Sequence, residues 1–96
     1  VAAQVSSALT EAGLLEAMSI VVQARTAAVM DANVPLRSGK ATGTGTDCIA
    51  VATLPGDTMY AGLHTEIGEA LGRVVYDAVL AGAQEWKTEQ EVRINA

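Results

Sequence analysis

The stretch Asp47–Leu63, "DCIAVATLPGDTMYAGL", decides how the rest of the chain is arranged. It reads as strand, turn, strand. Asp47 to Leu54 shows little polarity on either face, the pattern of a buried strand. Pro55-Gly56-Asp57 carries turn chemistry, and Thr58 to Leu63 reads as a second strand. Two strands joined so tightly pair antiparallel. With Pro55 and Gly56 as the central turn residues, Asp47 lies opposite His64. A loop one residue longer puts Cys48 opposite His64 and Asp47 opposite Thr65. Proline's fixed negative φ disfavours the shorter, primed turns and so favours the longer loop. Either register brings Asp47 and His64 to one end of the hairpin.

Upstream, Val1 to about Ser6 is a candidate strand. Thr10 is an N-cap for a helix from Glu11 to about Ala32, with Glu11 in its first turn favourable to the dipole. Leu14, Met18, Val21, Val22, Ala28, Val29 and Ala32 recur at helical spacing and predict the buried stripe. Asn33 and Pro35 end the helix. Residues 33–45, "NVPLRSGKATGTG", form a loop without periodicity, and loops of this length in small domains are often functional. Downstream, Thr65 is a second N-cap. Glu66 to about Ala83 is a second helix, running on towards Glu91, with Ile67, Leu71, Val74, Val75, Ala78 and Gly82 on one face. Trp86 is a docking residue on its polar tail. The fold class is α/β, a β-α-β-β-α layer with two helices packed on a small mixed sheet, forming part of a larger α/β fold.

Composition narrows the function. Half of the 96 residues are apolar, and Trp86, Tyr60 and Tyr76 are the only aromatics. A core of small aliphatic side chains buries little area per residue, so the chain is expected to lean on a partner surface, either a second copy or a missing N-terminal half. It opens on Val1 and is read as a single domain over 1–96 or as the C-terminal portion of a longer one. The net charge is −5 with scattered basic residues. That excludes a basic stripe for nucleic acid and a polybasic membrane patch. No apolar run reaches the roughly 20 residues of a membrane span, and no signal peptide is visible. One cysteine, Cys48, packed in its strand, points to a reducing compartment. The expected location is cytoplasmic.

The chemistry concentrates in two motifs, "ATGTGTD" (41–47) and "HTE" (64–66). Across the hairpin they gather Thr44, Thr46, Asp47, His64, Thr65 and Glu66 beside the N–H groups that open the second helix. A carboxylate, an imidazole, hydroxyls and backbone donors are the parts an amide or ester hydrolase needs. The plainer reading keeps Thr65 as a cap and Asp47 as a loop anchor, and a lone loop histidine is more often structural. "GTGTD" lacks the Gly-Lys-Ser/Thr ending of a nucleotide phosphate loop and leads into a strand. It also runs in the reverse order to a dinucleotide fingerprint. His64, Cys48 and Asp47 have no familiar metal-ligand spacing, so no metal is expected. Arg25 interrupts the apolar stripe of the first helix. Either its head snorkels to an edge, or it holds an anionic or amide group in a site.

"ATGTGTDCIAVA" (41–52) followed by "YAGLHTEIGEALGRVVYDAV" (60–79), with "LTEAGLLEAMSIVVQARTAAVMD" (9–31) before them, resembles the adenosylcobinamide amidohydrolase family of cobamide salvage, over about residues 5–83. The resemblance implies an enzyme that hydrolyses the amide between the aminopropanol arm and the corrin ring of adenosylcobinamide, giving adenosylcobyric acid. The corrinoid is then the substrate, and no cofactor is implied. The match falls on Thr42 to Asp47, on Tyr60-Ala61-Gly62 and on His64-Thr65. Gln23-Ala24-Arg25 departs from the Glu-Ala-Lys of the family pattern, and Leu63 stands where lysine is frequent. The family chain is longer, so this one corresponds to its C-terminal part, and the missing half would complete the corrinoid pocket.

The resulting expectation is a linear amide hydrolase. His64 with Asp47 activates water or a threonine hydroxyl, Thr44 and Thr46 being the candidate nucleophiles. Thr42, Gly43, Gly45, Thr65, Glu66, Arg25 and Tyr60 bind substrate, with loop N–H groups on the carbonyl oxygen. The alternative is a non-catalytic corrinoid-binding or assembly module.

Overall fold

The computed structural model describes residues 1–95. Its elements are β1 (Ala2–Gln4), α1 (Glu11–Ala32), β2 (Pro35–Leu36), β3 (Gly39–Lys40), β4 (Ala50–Ala52) and α2 (Glu66–Asn95). β1 and β4 pair in parallel, with Ala3 opposite Val51. β2 and β3 form a short antiparallel ribbon, with Pro35 opposite Lys40, inside the segment expected to be irregular. The parallel and antiparallel pairs are separate two-stranded sheets, and with the two packed helices they make the small α/β arrangement the sequence predicts.

The caps fall where the side chains place them. Thr10 has extended backbone, and its Oγ1 accepts from the Gly13 N–H at 3.1 Å. Asn33 closes α1 in the left-handed conformation, φ 57° and ψ 51°, and its N–H donates to Met30 O. Asparagine tolerates that region better than most side chains. The buried stripe of α1 is Gly13, Ala17, Ile20, Val21, Ala28, Val29 and Ala32. In its N-terminal half it lies one position before the expected Leu14 and Met18, which are half-buried, and Val22 is exposed. Small residues face the sheet there because the backbone comes close: a Cβ on Gly13 would stand 2.6 Å from Thr58 O. By length and hydropathy alone α1 could cross a membrane. Here its stripe is the wall of a core shared with β1, β4 and α2, built around Leu9, Ile20, Val21, Leu71 and Val75.

The largest departure from expectation is at 54–63. No second strand forms there, and the antiparallel hairpin is absent. Leu54 and Thr58 instead bond to the segment before α1. Leu9 N–H donates to Leu54 O at 3.2 Å, Gly56 N–H to Leu9 O at 3.1 Å, Thr58 N–H to Ala8 O at 3.1 Å and Thr10 N–H to Thr58 O at 3.0 Å. Leu9 is 2% exposed between them. The donors and acceptors a hairpin needs are taken, so the chain leaves β4 and continues forward to α2. Cys48, expected to be packed, is exposed at the entrance of β4.

α1 and α2 run side by side in the same direction. Gly72 lies against Ile20, the Tyr76 hydroxyl donates to Asp31, and Lys87 Nζ donates to Ala32 O at 2.8 Å. Lys87 thereby satisfies carbonyls at the α1 C-terminus with a favourable charge. At its other end α2 is capped by Thr65, whose Oγ1 accepts from Gly68 N–H at 3.0 Å. A Cβ on Gly68 would overlap the carbonyl oxygens of Gly62 and Ala61. Helix propensity alone predicts that Gly68→Ala gains about 1 kcal/mol. The contact reverses the sign, and urea denaturation of Gly68→Ala is expected to show a lower midpoint than the parent.

Candidate functional site

The loop before β4 is folded on its own carboxylate. Thr44 N–H donates to Asp47 Oδ2 at 2.9 Å, and Thr44 Oγ1 donates to Asp47 Oδ1 at 2.9 Å. From α1, Arg25 Nη1 approaches Asp47 Oδ2 at 2.5 Å. The Arg25 side chain is only 14% exposed. That ion pair lies off the N–H direction, so the buried Nε and Nη1 have no hydrogen-bond acceptor among the described residues. Gly43 is glycine because the clasp needs the space. A Cβ there would overlap Asp47 Oδ2 and stand 3.2 Å from Arg25 Nη1.

The electrostatics follow from these contacts. The Thr44 backbone N–H and then its hydroxyl hold the Asp47 carboxyl below its ordinary 3.8, the Arg25 charge adds to this, and partial desolvation opposes it. A carboxylate with a depressed pKa stabilises the fold above its unfolded pKa, and that contribution is lost as pH falls through the folded pKa.

This clasp forms one wall of an open cleft of about 900 Å³. α2 contributes Val79, Gly82, Ala83 and Trp86 to the lining of the cleft, and Val29, Val34 and Leu36 line it as well. The volume is in the range of small-molecule sites, and the mix of apolar walls with a few convergent polar groups is characteristic of them. A second groove of about 380 Å³ between β1 and α2 has no titratable side chain in its lining. Among the described residues, no three His, Cys, Asp or Glu side chains gather as a metal cluster.

The expected site residues divide between this cleft and the rest of the surface. Arg25, Thr42, Gly43, Thr44, Gly45 and Asp47 line the cleft. Thr46 is exposed and does not line it. Thr65 is the α2 cap, Glu66 is exposed in the first turn of α2, and Tyr60 is 63% exposed away from the cleft. His64 is also elsewhere. Its Nδ1 and Cε1 stand 3.0 Å from where a Cβ on Gly62 would be, and Glu16 Oε1 lies 3.4 Å from the same point. Glu16 Oε1 also accepts from Ala61 N–H at 2.6 Å. The carboxylate near His64 is therefore Glu16, and the Asp47–His64 pairing expected from the hairpin is not formed. Asp47 sits at the entrance of β4 and His64 beyond its exit. Their neighbours Arg25 and Glu16 are about 180° apart around α1 and about 13 Å apart along it.

Sequence reasoning passed over Glu16 and gave Trp86 only a docking role. Glu16 lies on the flank of α1 one turn after buried Gly13, and only a known path for residues 59–64 would have picked it out. Trp86 shares a helical face with Val79, Gly82 and Ala83, a spacing visible in the sequence.

A small α/β fold thus carries an Arg-Asp-Thr cluster on a cleft of ligand size. The family model CbiZ, described as adenosylcobinamide amidohydrolase, matches residues 1–91. The chain belongs to this family, and membership implies adenosylcobinamide amidohydrolase activity in cobamide salvage. No curated protein and no solved structure matches the chain.

The clasp is open to direct titration. Carbon-13 NMR of the Asp47 carboxyl is expected to give a midpoint below 3.8. Thr44→Ala, which removes the hydroxyl donor, and Arg25→Met, which removes the neighbouring charge, each raise that midpoint. An ordinary aspartate midpoint in the parent protein contradicts the clasp.

Proposed function

We propose that the protein hydrolyses the amide joining the aminopropanol arm to the corrin ring of adenosylcobinamide, releasing aminopropanol and adenosylcobyric acid. We further propose that the cleft beside the 42–47 loop seats the scissile amide. The family match over residues 1–91 carries the activity. The choice of cleft rests on Arg25, Thr44 and Asp47, which line it together, Arg25 Nη1 standing 2.5 Å from Asp47 Oδ2 and Thr44 Oγ1 donating to Asp47 Oδ1 at 2.9 Å.

In this reading the amide carbonyl oxygen takes the Arg25 donors. Negative charge develops on that oxygen during attack, and preorganised donors in a sheltered site stabilise it most where water is excluded. Thr44 Oγ1, or a water held between Thr44 and Asp47, is the attacking group. The Thr44 hydroxyl already donates to Asp47 Oδ1 at 2.9 Å, so its proton has an acceptor in place. The carbon–nitrogen bond of the tetrahedral intermediate breaks as Asp47 returns that proton to the leaving amine. With water as the attacking group this gives the acid directly. With Thr44 Oγ1 it leaves a Thr44 ester that a second water, giving its proton to Asp47, cleaves to the acid and the free hydroxyl. A depressed carboxyl takes up a proton reluctantly and gives it up readily. Proton uptake is therefore the demanding half and amine protonation the easy half. His64 stands outside this scheme, on the other flank of α1.

One observation favours a second reading, a corrinoid-binding or assembly module without turnover. His64 is the chain's one imidazole, and it does not line the cleft. The test is aminopropanol release from adenosylcobinamide, followed by mass spectrometry. The parent protein is expected to turn over. Arg25→Met and Asp47→Asn should each lose roughly 100-fold or more in kcat, the scale of removing a transition-state donor, while His64→Ala keeps most activity. An inactive His64→Ala beside an active Asp47→Asn contradicts the assignment. Tight corrinoid binding without release by the parent supports the second reading.

A further inference from the structure

Trp86 is the chain's one tryptophan, and it is 51% exposed and lines the same cleft as the clasp. Its surroundings leave a flat surface. Helical side chains lean back over the preceding turn, and the residue one turn before is Gly82, where an added Cβ would meet nothing within 4 Å. Val79 continues the same apolar wall one turn further back. Lys87, the next residue, ties this part of α2 to the Ala32 and Asn33 carbonyls. The indole thus sits on an anchored stretch of helix. The same cleft is lined by the hydrogen-bonding groups Arg25, Thr42 and Thr44.

Resting on the amidohydrolase reading above, we infer that Trp86 is the platform for the face of the corrin ring and sets specificity for a macrocyclic substrate. A corrinoid is a broad, near-planar, partly conjugated macrocycle with a rim of amide side chains, and its face away from the adenosyl ligand is open to an aromatic ring. A cleft lined by both an indole and hydrogen-bonding side chains offers contacts to both parts of it. Indole stacking on a conjugated ring adds a geometry-dependent attraction beyond burial. Trp86 acts on binding and touches no reacting atom, so its loss shows in KM and leaves kcat in place.

The experiment uses the whole protein with Trp86→Ala and Trp86→Phe. Two substrates are compared: adenosylcobinamide, and a simple N-(2-hydroxypropyl) carboxamide that carries the same amide without the ring. Binding of adenosylcobyric acid is measured in parallel by calorimetry. Trp86→Ala is expected to raise KM for adenosylcobinamide and the Kd for adenosylcobyric acid about fivefold or more. Its kcat, its melting temperature and its rate on the small amide stay at parent values, and Trp86→Phe recovers most of the affinity. Unchanged KM and Kd in Trp86→Ala overturn the inference. Equal losses on both substrates do so too, because they show a general structural role. If the parent hydrolyses neither amide, the amidohydrolase reading fails. The calorimetric comparison then still decides whether Trp86 carries corrinoid binding.

Discussion

The arrangement depends on the backbone capture of residues 54–58 by Ala8, Leu9 and Thr10. Four hydrogen bonds and one nearly fully buried leucine hold the chain as it leaves β4. Buried backbone donors and acceptors must be paired, and here the partners come from the segment that opens α1. The consequence is directional. A hairpin would have returned the chain to the entrance of β4. Capture sends it on past Ala61 and Gly62, where Glu16 and the first turn of α2 receive it. The molecule therefore has two separate polar clusters, one at each end of β4.

The cluster at the entrance has the stronger physical case for chemistry. It has a cavity, a carboxylate held ionised by two Thr44 donors, and a mostly buried guanidinium paired with that carboxylate. Removing a guanidinium from water without a counter-charge is costly, and Asp47 supplies that charge. At the exit, His64 is exposed and does not line the cleft. Leu54, Met59, Tyr60 and Leu63 in this segment are all more than half exposed.

Local signals in the sequence translated well. Thr10, Asn33 and Thr65 are caps because their side chains and backbone preferences act over a few residues, and the span of α1 follows from periodicity that its caps punctuate, whereas α2, expected to about Ala83 and running on towards Glu91, continues to Asn95. The loop residues Thr42, Gly43, Thr44, Gly45 and Asp47 also lie together, since their contacts span three or four positions. Pairing between distant segments was not legible. "TMYAGL" has a strand-like composition, yet nothing in it encodes that Thr58 finds Ala8 and Thr10 before it finds β4. The stripe of α1 was shifted for a related reason: Gly13 and Ala17 carry no hydrophobic signal, but their smallness lets backbones approach. Arg25 was legible as an oddity in an apolar stripe, and the structure supplies its partner.

The central claim is that the Arg25–Asp47–Thr44 clasp, and not an Asp47–His64 pair, is the reactive group of this amidohydrolase. The pH dependence of kcat/KM for aminopropanol release tests it most directly. Asp47 must be ionised to accept a proton, and its carboxyl is held below 3.8. Activity is therefore predicted to hold as pH falls through the imidazole range, around 6.5 for a free side chain, and to fail only below the ordinary carboxylate range. An acid limb in the imidazole range that vanishes in His64→Ala would contradict the account.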